Sequence, residues 1–173
     1  IVSGFTTNPS LMRKAGAKNY LAYCKEILKI CKNKPVSFEV FADDFKNMKH
    51  QAYKLNSLGK NVYVKIPICN SKGKFSGKII RLLNKEKIKL NITAVYNAKQ
   101  TKRILDCLDK KTNVIISIFV GRAGDVGKNP VPEIKKSIAM SKKFKNVKIL
   151  WASVREPYNY THAKELKLSL IHI

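Results

Sequence analysis

A lysine in the middle of a short β-branched run, Val62-Tyr63-Val64-Lys65-Ile66-Pro67, is the residue of this chain best suited to covalent chemistry. Burying an ammonium there is costly, because a charge leaves water. A buried lysine tends to give up its proton, and the free amine is a nucleophile toward carbonyls. On an edge strand the same side chain could instead carry its head out to solvent. Chemistry is favoured by the polar residues in or just after the other strand-like runs. These are Thr6 and Asn8, Glu39, Asn91 and Thr93, Ser117 and Arg122, and Ser153 and Arg155.

Strand-like and helix-like periods alternate along the chain and must position these side chains. Strand patterns cover residues 1–5, 35–41, 61–67, 89–94, 113–119 and 147–153. Helical patterns fall near 18–32, 43–58, 73–87, 97–110 and 132–144, with a last one after Pro157. The strand runs are almost continuously apolar, which suits parallel strands covered on both faces. Six βα units leave a doubly wound sheet or a (β/α)₈ barrel. No G-x-G-x-x-G follows a strand. The glycine stretch Gly121–Asn129 is spaced one residue too long for a phosphate-binding loop, and no Ser or Thr follows its Lys128. A barrel would gather the polar residues at the C-terminal mouth of its strands, whereas a doubly wound sheet would scatter them.

The 173 residues are enough for one domain with a real core. The net charge of +24 raises nucleic-acid binding as a possibility. Lysine far outnumbers arginine, however, and is spread along every predicted helix without forming a basic block. No nucleic-acid partner is therefore expected, although a positive field would help collect phosphorylated substrates. No apolar run approaches the roughly 18 residues of a membrane span. Cys24, Cys31, Cys69 and Cys107 form no C-x-x-C pair, and the three His are not spaced with them as zinc ligands. Cys24 and Cys31 share one helical face, where they act as small apolar residues. Reduced thiols and a cytoplasmic location are expected, with no metal and no cofactor.

Six segments resemble the transaldolase family, in order and register over nearly the whole chain. Gly4-Phe5-Thr6-Thr7-Asn8-Pro9-Ser10 resembles that family's second strand, and Glu39 in Val36-Ser37-Phe38-Glu39-Val40 its third. Val64-Lys65-Ile66-Pro67 is similar to the strand bearing its Schiff-base lysine, and Asn91-Ile92-Thr93 to the fifth. Ile118-Phe119-Val120-Gly121-Arg122 and Ala152-Ser153-Val154-Arg155 are similar to the sixth and seventh. The resemblance implies an incomplete (β/α)₈ barrel with family strands 2 to 7 present, strand 1 missing and strand 8 doubtful. It also implies that Lys65 attacks a ketose carbonyl, that a three-carbon enamine stays bound while an aldose phosphate leaves, and that a second aldose phosphate accepts the unit. The overall reaction would convert sedoheptulose 7-phosphate and glyceraldehyde 3-phosphate to erythrose 4-phosphate and fructose 6-phosphate, in the pentose phosphate pathway.

On the same resemblance, Glu39 and Thr93 would manage the water and protons of imine formation. Asn8 and Asn91 would bond substrate hydroxyls, Thr6, Ser117 and Phe119 would line the pocket, and Arg122, Ser153 and Arg155 would take the phosphate. Members that are simple fructose 6-phosphate aldolases resemble Gln at position 39, Tyr at 119 and no Asn at 91. Glu39, Phe119 and Asn91 therefore favour transfer over plain cleavage. Ile118 and Val154 depart from the residues common in the family, Pro and Phe, and touch packing more than chemistry.

The chain opens inside a strand pattern without an initiator Met, and it is expected to be a fragment. The family's first-strand aspartate, which acts on the C4 hydroxyl, would then be absent. Asp43, Asp44 and Asp125 fall in loops or early helix turns and could not replace it. The fragment alone is expected not to turn over sugar phosphates. Residues 1–167 are taken as the partial barrel. Leu168-Ser169-Leu170-Ile171-His172-Ile173 suits an eighth strand, but it also matches the translation of a transposon sequencing adapter, so a non-native tail is expected there. Small members of the family form ring-like oligomers through a C-terminal helix, and a homo-oligomeric parent is expected.

Overall fold

The computed structural model describes residues 2–172. Seven strands are found among them: β1 (Phe5–Thr6), β2 (Val36–Glu39), β3 (Val62–Pro67), β4 (Leu90–Val95), β5 (Val114–Phe119), β6 (Val147–Ala152) and β7 (Leu170–Ile171). They form one parallel sheet in chain order. Helices alternate with them: α1 (Pro9–Lys14), α2 (Tyr20–Cys31), α3 (Phe45–Asn56), α4 (Gly77–Lys85), α5 (Ala98–Leu105), α6 (Val120–Asp125), α7 (Val131–Ser141) and α8 (Tyr158–Glu165). No helix among the described residues is long and apolar enough to cross a membrane.

The curl of the sheet can be read from two contacts. Asn91 on β4 donates to Ser37 on β2 at 3.0 Å, across the intervening β3. In a flat sheet those strands would lie about 9.5 Å apart. Thr6 Oγ1 on β1 is also 3.0 Å from Nε2 of His172, the residue after β7. The two edges of a flat seven-stranded sheet would be about 28 Å apart. The sheet is therefore bent into an incomplete (β/α)₈ barrel with its edges facing each other, as the sequence predicts.

Alternation along the strands divides the residues between two layers. Val36 and Phe38, Val62, Val64 and Ile66, Leu90 and Ile92, Val114, Ile116 and Ile118, and Ile149 and Trp151 are buried in one core cluster with Cys24, Met48, Leu55, Ile80, Leu83 and Ile104 of the helices. Cys24 and Cys31 lie on the buried face of α2, and Trp151 is a packing residue. The residues between them, Ser37 and Glu39, Lys65, Asn91 and Thr93, and Ser117, occupy the other face.

Helix starts follow from side-chain caps. Asn8, Asn19, Asp44 and Asn97 each accept a backbone N–H of the first turn. The strand and helix patterns read from the sequence fall within a few residues of the observed bounds, with two additions. Asn8-Pro9 starts the short α1, for which an asparagine cap and a proline at the first turn are the usual signals. The glycine stretch after β5 is helical from Val120 to Asp125, with no loop before it. The pattern over residues 1–5 is strand only at Phe5, and Ile1 lies outside the described residues. Residues Leu170 and Ile171 pair with Leu150 and Trp151.

Candidate active site

Lys65 sits mid-strand on β3 and is only 6% exposed. Its neighbours in register are Glu39 on β2 and Asn91 on β4. The Nζ atom lies 3.1 Å from Glu39 Oε2 and donates to Thr7 O at 3.2 Å. The amine is thus sheltered from water and aimed between a carboxylate and a backbone carbonyl at the barrel's inner face. A buried ion pair of this kind is held by geometry and gives little net stability.

Asn91 is fully buried and committed on both sides. Its Nδ2 donates to Ser37 Oγ (3.0 Å), and its Oδ1 accepts from Ser117 Oγ (2.7 Å). Three strands are joined by this one amide, which leaves it little freedom to turn. Thr93 is buried beside it, and its Oγ1 has no hydrogen-bond partner among the described residues. A buried hydroxyl without a partner carries a desolvation cost, and a small polar molecule at that position would relieve it.

The edge residues are placed differently. Thr6 bonds His172, whose imidazole is pushed down to about 4 by burial and by the charge of Lys65. Asn8 Oδ1 accepts from Leu11 N at 2.8 Å as a helix cap, so its amide nitrogen is the group left for another ligand.

The second group of polar residues gathers where β5 and β6 end. Phe119 lies edge-on to Tyr96, with ring centroids 5.8 Å apart, and beneath the Arg122 guanidinium at 4.8 Å. Arg122 lines a cleft of about 630 Å³ together with Tyr96, Asp125, Lys128 and Glu133. Ser153 has a positive φ of 64°. Its carbonyl approaches Gly121 so closely that a Cβ on Gly121 would lie 1.8 Å from the oxygen. Only glycine permits α6 to cross the end of β6 at that distance. Arg155 is not free in the same way as Arg122. Its Nε donates to Asp125 Oδ1 (3.0 Å), a second donor goes to Asp125 Oδ2, and NH1 reaches Ser153 O (3.3 Å). This pair lowers the Asp125 carboxyl from its ordinary range.

Lys65, Glu39, Asn91, Ser117 and Thr93 therefore form one centre, with Phe119, Arg122, Ser153 and Arg155 at the strand ends. Sequence reasoning overlooked Ser37, Thr7 and Tyr20. Ser37 shares the alternation of Glu39 and could have been found. Thr7 acts through a backbone carbonyl, which leaves no mark in residue type. Among the described residues no three of His, Cys, Asp and Glu come together as metal ligands. Asp44 caps α3 and Asp43 accepts from both the N–H and the hydroxyl of Ser71, so neither approaches Lys65 as a bonded partner.

Residues 1–167 match the family described as Transaldolase/Fructose-6-phosphate aldolase. The chain is 34% identical over 167 residues to a probable transaldolase of Methanococcus maripaludis, covering 96% of this chain and 73% of that protein. It is 35% identical to a probable transaldolase of Thermoplasma volcanium, covering 100% of this chain and 75% of the relative. A probable transaldolase of Clostridium botulinum is likewise 35% identical, with 100% and 74% covered.

Proposed function

The chain belongs to the transaldolase/fructose-6-phosphate aldolase family, and from that premise we propose that it carries the Schiff-base centre of a transaldolase, with Lys65 as the nucleophile. The single observation that carries this reading is the buried amine of Lys65 held 3.1 Å from Glu39.

Glu39 takes a proton from the amine as a ketose carbonyl arrives. The Nζ lone pair attacks C2 of the ketose, and the carbonyl oxygen becomes the hydroxyl of a carbinolamine. A proton returned through Glu39 lets that hydroxyl leave as water, giving the iminium. Thr93, whose hydroxyl is unpartnered among the described residues, holds the departing water. In the whole family protein the iminium then accepts the electron pair of the breaking C3–C4 bond while the C4 hydroxyl gives its proton to the family's first-strand aspartate, so that C4 becomes the carbonyl of the leaving aldose. An aldose phosphate leaves and an enamine of three carbons remains on Lys65. Attack of that enamine on a second aldose phosphate reverses the sequence. Asn91, fixed by Ser37 and Ser117, and the amide of Asn8 bond the hydroxyls of the retained unit. Arg122 and Ser153 bind the phosphate at the strand ends, where a guanidinium fork suits phosphate oxygens. Arg155 supports them through Asp125 and the Ser153 carbonyl.

Phe119 brings no hydroxyl to orient a hydrolytic water, so the enamine survives to meet an acceptor, and transfer is preferred to release of dihydroxyacetone. We place the reaction in the cytoplasmic pentose phosphate pathway. Residues 168–173 are assigned no part in it. The test is to incubate the chain with dihydroxyacetone and borohydride and map the labelled peptide by mass spectrometry. A reduced three-carbon adduct on Lys65 supports the reading. An unlabelled Lys65 in folded protein sinks it. Imine formation does not need the acid that acts on the C4 hydroxyl, so the result is independent of whether sugar phosphates are turned over.

A further inference from the structure

The phenol of Tyr20 occupies a junction that the mechanism above does not use. Tyr20 opens α2, and its hydroxyl donates to Glu39 O at 2.8 Å while accepting from Glu39 N at 3.1 Å. Those two backbone groups need a partner because β1 stops short. Thr7 N makes the last backbone bond to β2, at Ser37 O (3.0 Å), before the chain turns into α1. On the opposite flank Val40 N bonds Lys65 O at 3.1 Å. The phenol thus replaces the missing strand beside the residue that faces the lysine.

Beside it, the Thr7 hydroxyl donates to Ser37 O at 3.0 Å. Thr7 O is the second acceptor of the Lys65 amine. The phenol is therefore bonded on both sides to the backbone of Glu39, the residue whose carboxylate holds Nζ. The Tyr20 ring is fixed in turn by an edge contact with Phe41, with centroids 5.4 Å apart at 78°. Burial drives its acidity well below that of an ordinary tyrosine, so it remains a donor throughout the physiological range.

We propose that Tyr20 is a positioning residue for the Lys65 amine, acting through the backbone of Glu39 without touching substrate. The inference rests on the imine reading of Lys65. A residue with this role sets how fast the amine reacts, because small displacements of a reacting group cost large factors in rate.

The test is the rate of dihydroxyacetone trapping on Lys65 under borohydride, measured in the 173-residue chain. Tyr20→Phe keeps the ring and removes only the hydroxyl. It is expected to slow trapping by about tenfold or more and to displace the pH profile of trapping. In a Glu39→Gln background the same change is expected to add no further slowing, since the carboxylate that the clamped backbone positions is already lost. Leu83→Ala, a core truncation on α4, is expected to lower the melting temperature without slowing trapping. Unchanged trapping in Tyr20→Phe, additive losses in the double variant, or equal slowing by Leu83→Ala would each overturn the proposal. If Tyr20→Phe does not fold, hydrogen exchange in the unaltered chain decides. A Glu39 amide protected as strongly as that of Val40 supports the clamp, and free exchange at Glu39 removes it. An unaltered chain that folds with a protected Glu39 amide but traps nothing on Lys65 would identify the imine reading itself as the failure and remove the role built on it.

Discussion

Glu39 and Lys65 face each other in register on neighbouring parallel strands, with carboxylate and amine 3.1 Å apart. Each is the other's partner at the barrel's inner face, so the two should fail in different ways when changed. Lys65→Met is expected to abolish trapping of dihydroxyacetone. Glu39→Gln should leave the nucleophile in place and slow trapping by about 10²–10⁴-fold, the usual contribution of a positioned acid–base group. Time courses of adduct formation by intact mass measure both.

Thr93 separates stability from reactivity. Its buried hydroxyl has no protein partner among the described residues. Replacing it with the near-isosteric valine removes an unsatisfied group, and stability is expected to rise by about 1 kcal/mol. Imine formation should nevertheless slow. Chemical denaturation beside the trapping assay checks the two signs, and a variant that is less stable yet fully reactive would contradict the role given to Thr93.

Gly121→Ala tests the crossing of α6 over β6. Its Cβ would meet the Ser153 carbonyl, a backbone atom that cannot swing aside. Overpacking of this kind costs about 1–3 kcal/mol. The expected result is a lower melting temperature together with weaker use of phosphorylated ketoses, because Arg122 and Ser153 move with the two elements.

Arg122 and Arg155 should differ. Arg122→Ala is expected to raise the concentration of fructose 6-phosphate needed for half-maximal trapping and to leave dihydroxyacetone, which has no phosphate, unaffected. Arg155→Ala should have the smaller effect, since its guanidinium is already engaged with Asp125 and Ser153. Concentration series with both carbonyl compounds distinguish a phosphate ligand from its support.

Asp109 predicts an acid limb of stability. Burial opposes its ionisation, but Lys87 Nζ at 2.7 Å and the donors of Thr112 and Lys111 outweigh that and hold its carboxyl well below the usual range. A folded-state pKa below the unfolded value means that the unfolded chain binds the proton more readily. The stabilisation is present above the unfolded carboxyl range near pH 4 and is lost progressively as pH falls from there through the lower folded-state value. Asp109→Asn is expected to lower stability at pH 7 and to flatten its dependence on pH below about 4. Urea unfolding across pH would show no flattening if the carboxylate were idle.

Most of the fold is legible in the sequence because each βα unit carries its own period. Runs such as residues 62–67 and 113–119 are apolar enough to be strands and bounded well enough to be counted. The inner-face centre was legible for the same reason, since a lysine, an asparagine and a serine interrupt apolar strands at matching positions. What escaped was carried by the backbone or by closeness in space. The carbonyl of Thr7 has no signature, and the phenol of Tyr20 lies on a helix whose pattern reads as packing. Arg155 illustrates the converse. Its residue type suits phosphate, but only the folded chain brings Asp125 against it. Leu170 and Ile171 pair as a short strand because they are apolar and lie beside Leu150 and Trp151.

The strands lie in the sheet in the order in which they occur in the chain, and this has a consequence for how the barrel is made. Each new strand finds its partner in the unit just before it, so the sheet can lengthen by one βα unit at a time as the chain emerges from the ribosome. The contact between Thr6 and His172 spans 166 positions and has no such local route. Loop-closure entropy places it last. The interior with Lys65 is then assembled as an open trough, and the approach of its two edges, which share no strand pairing among the described residues, comes last.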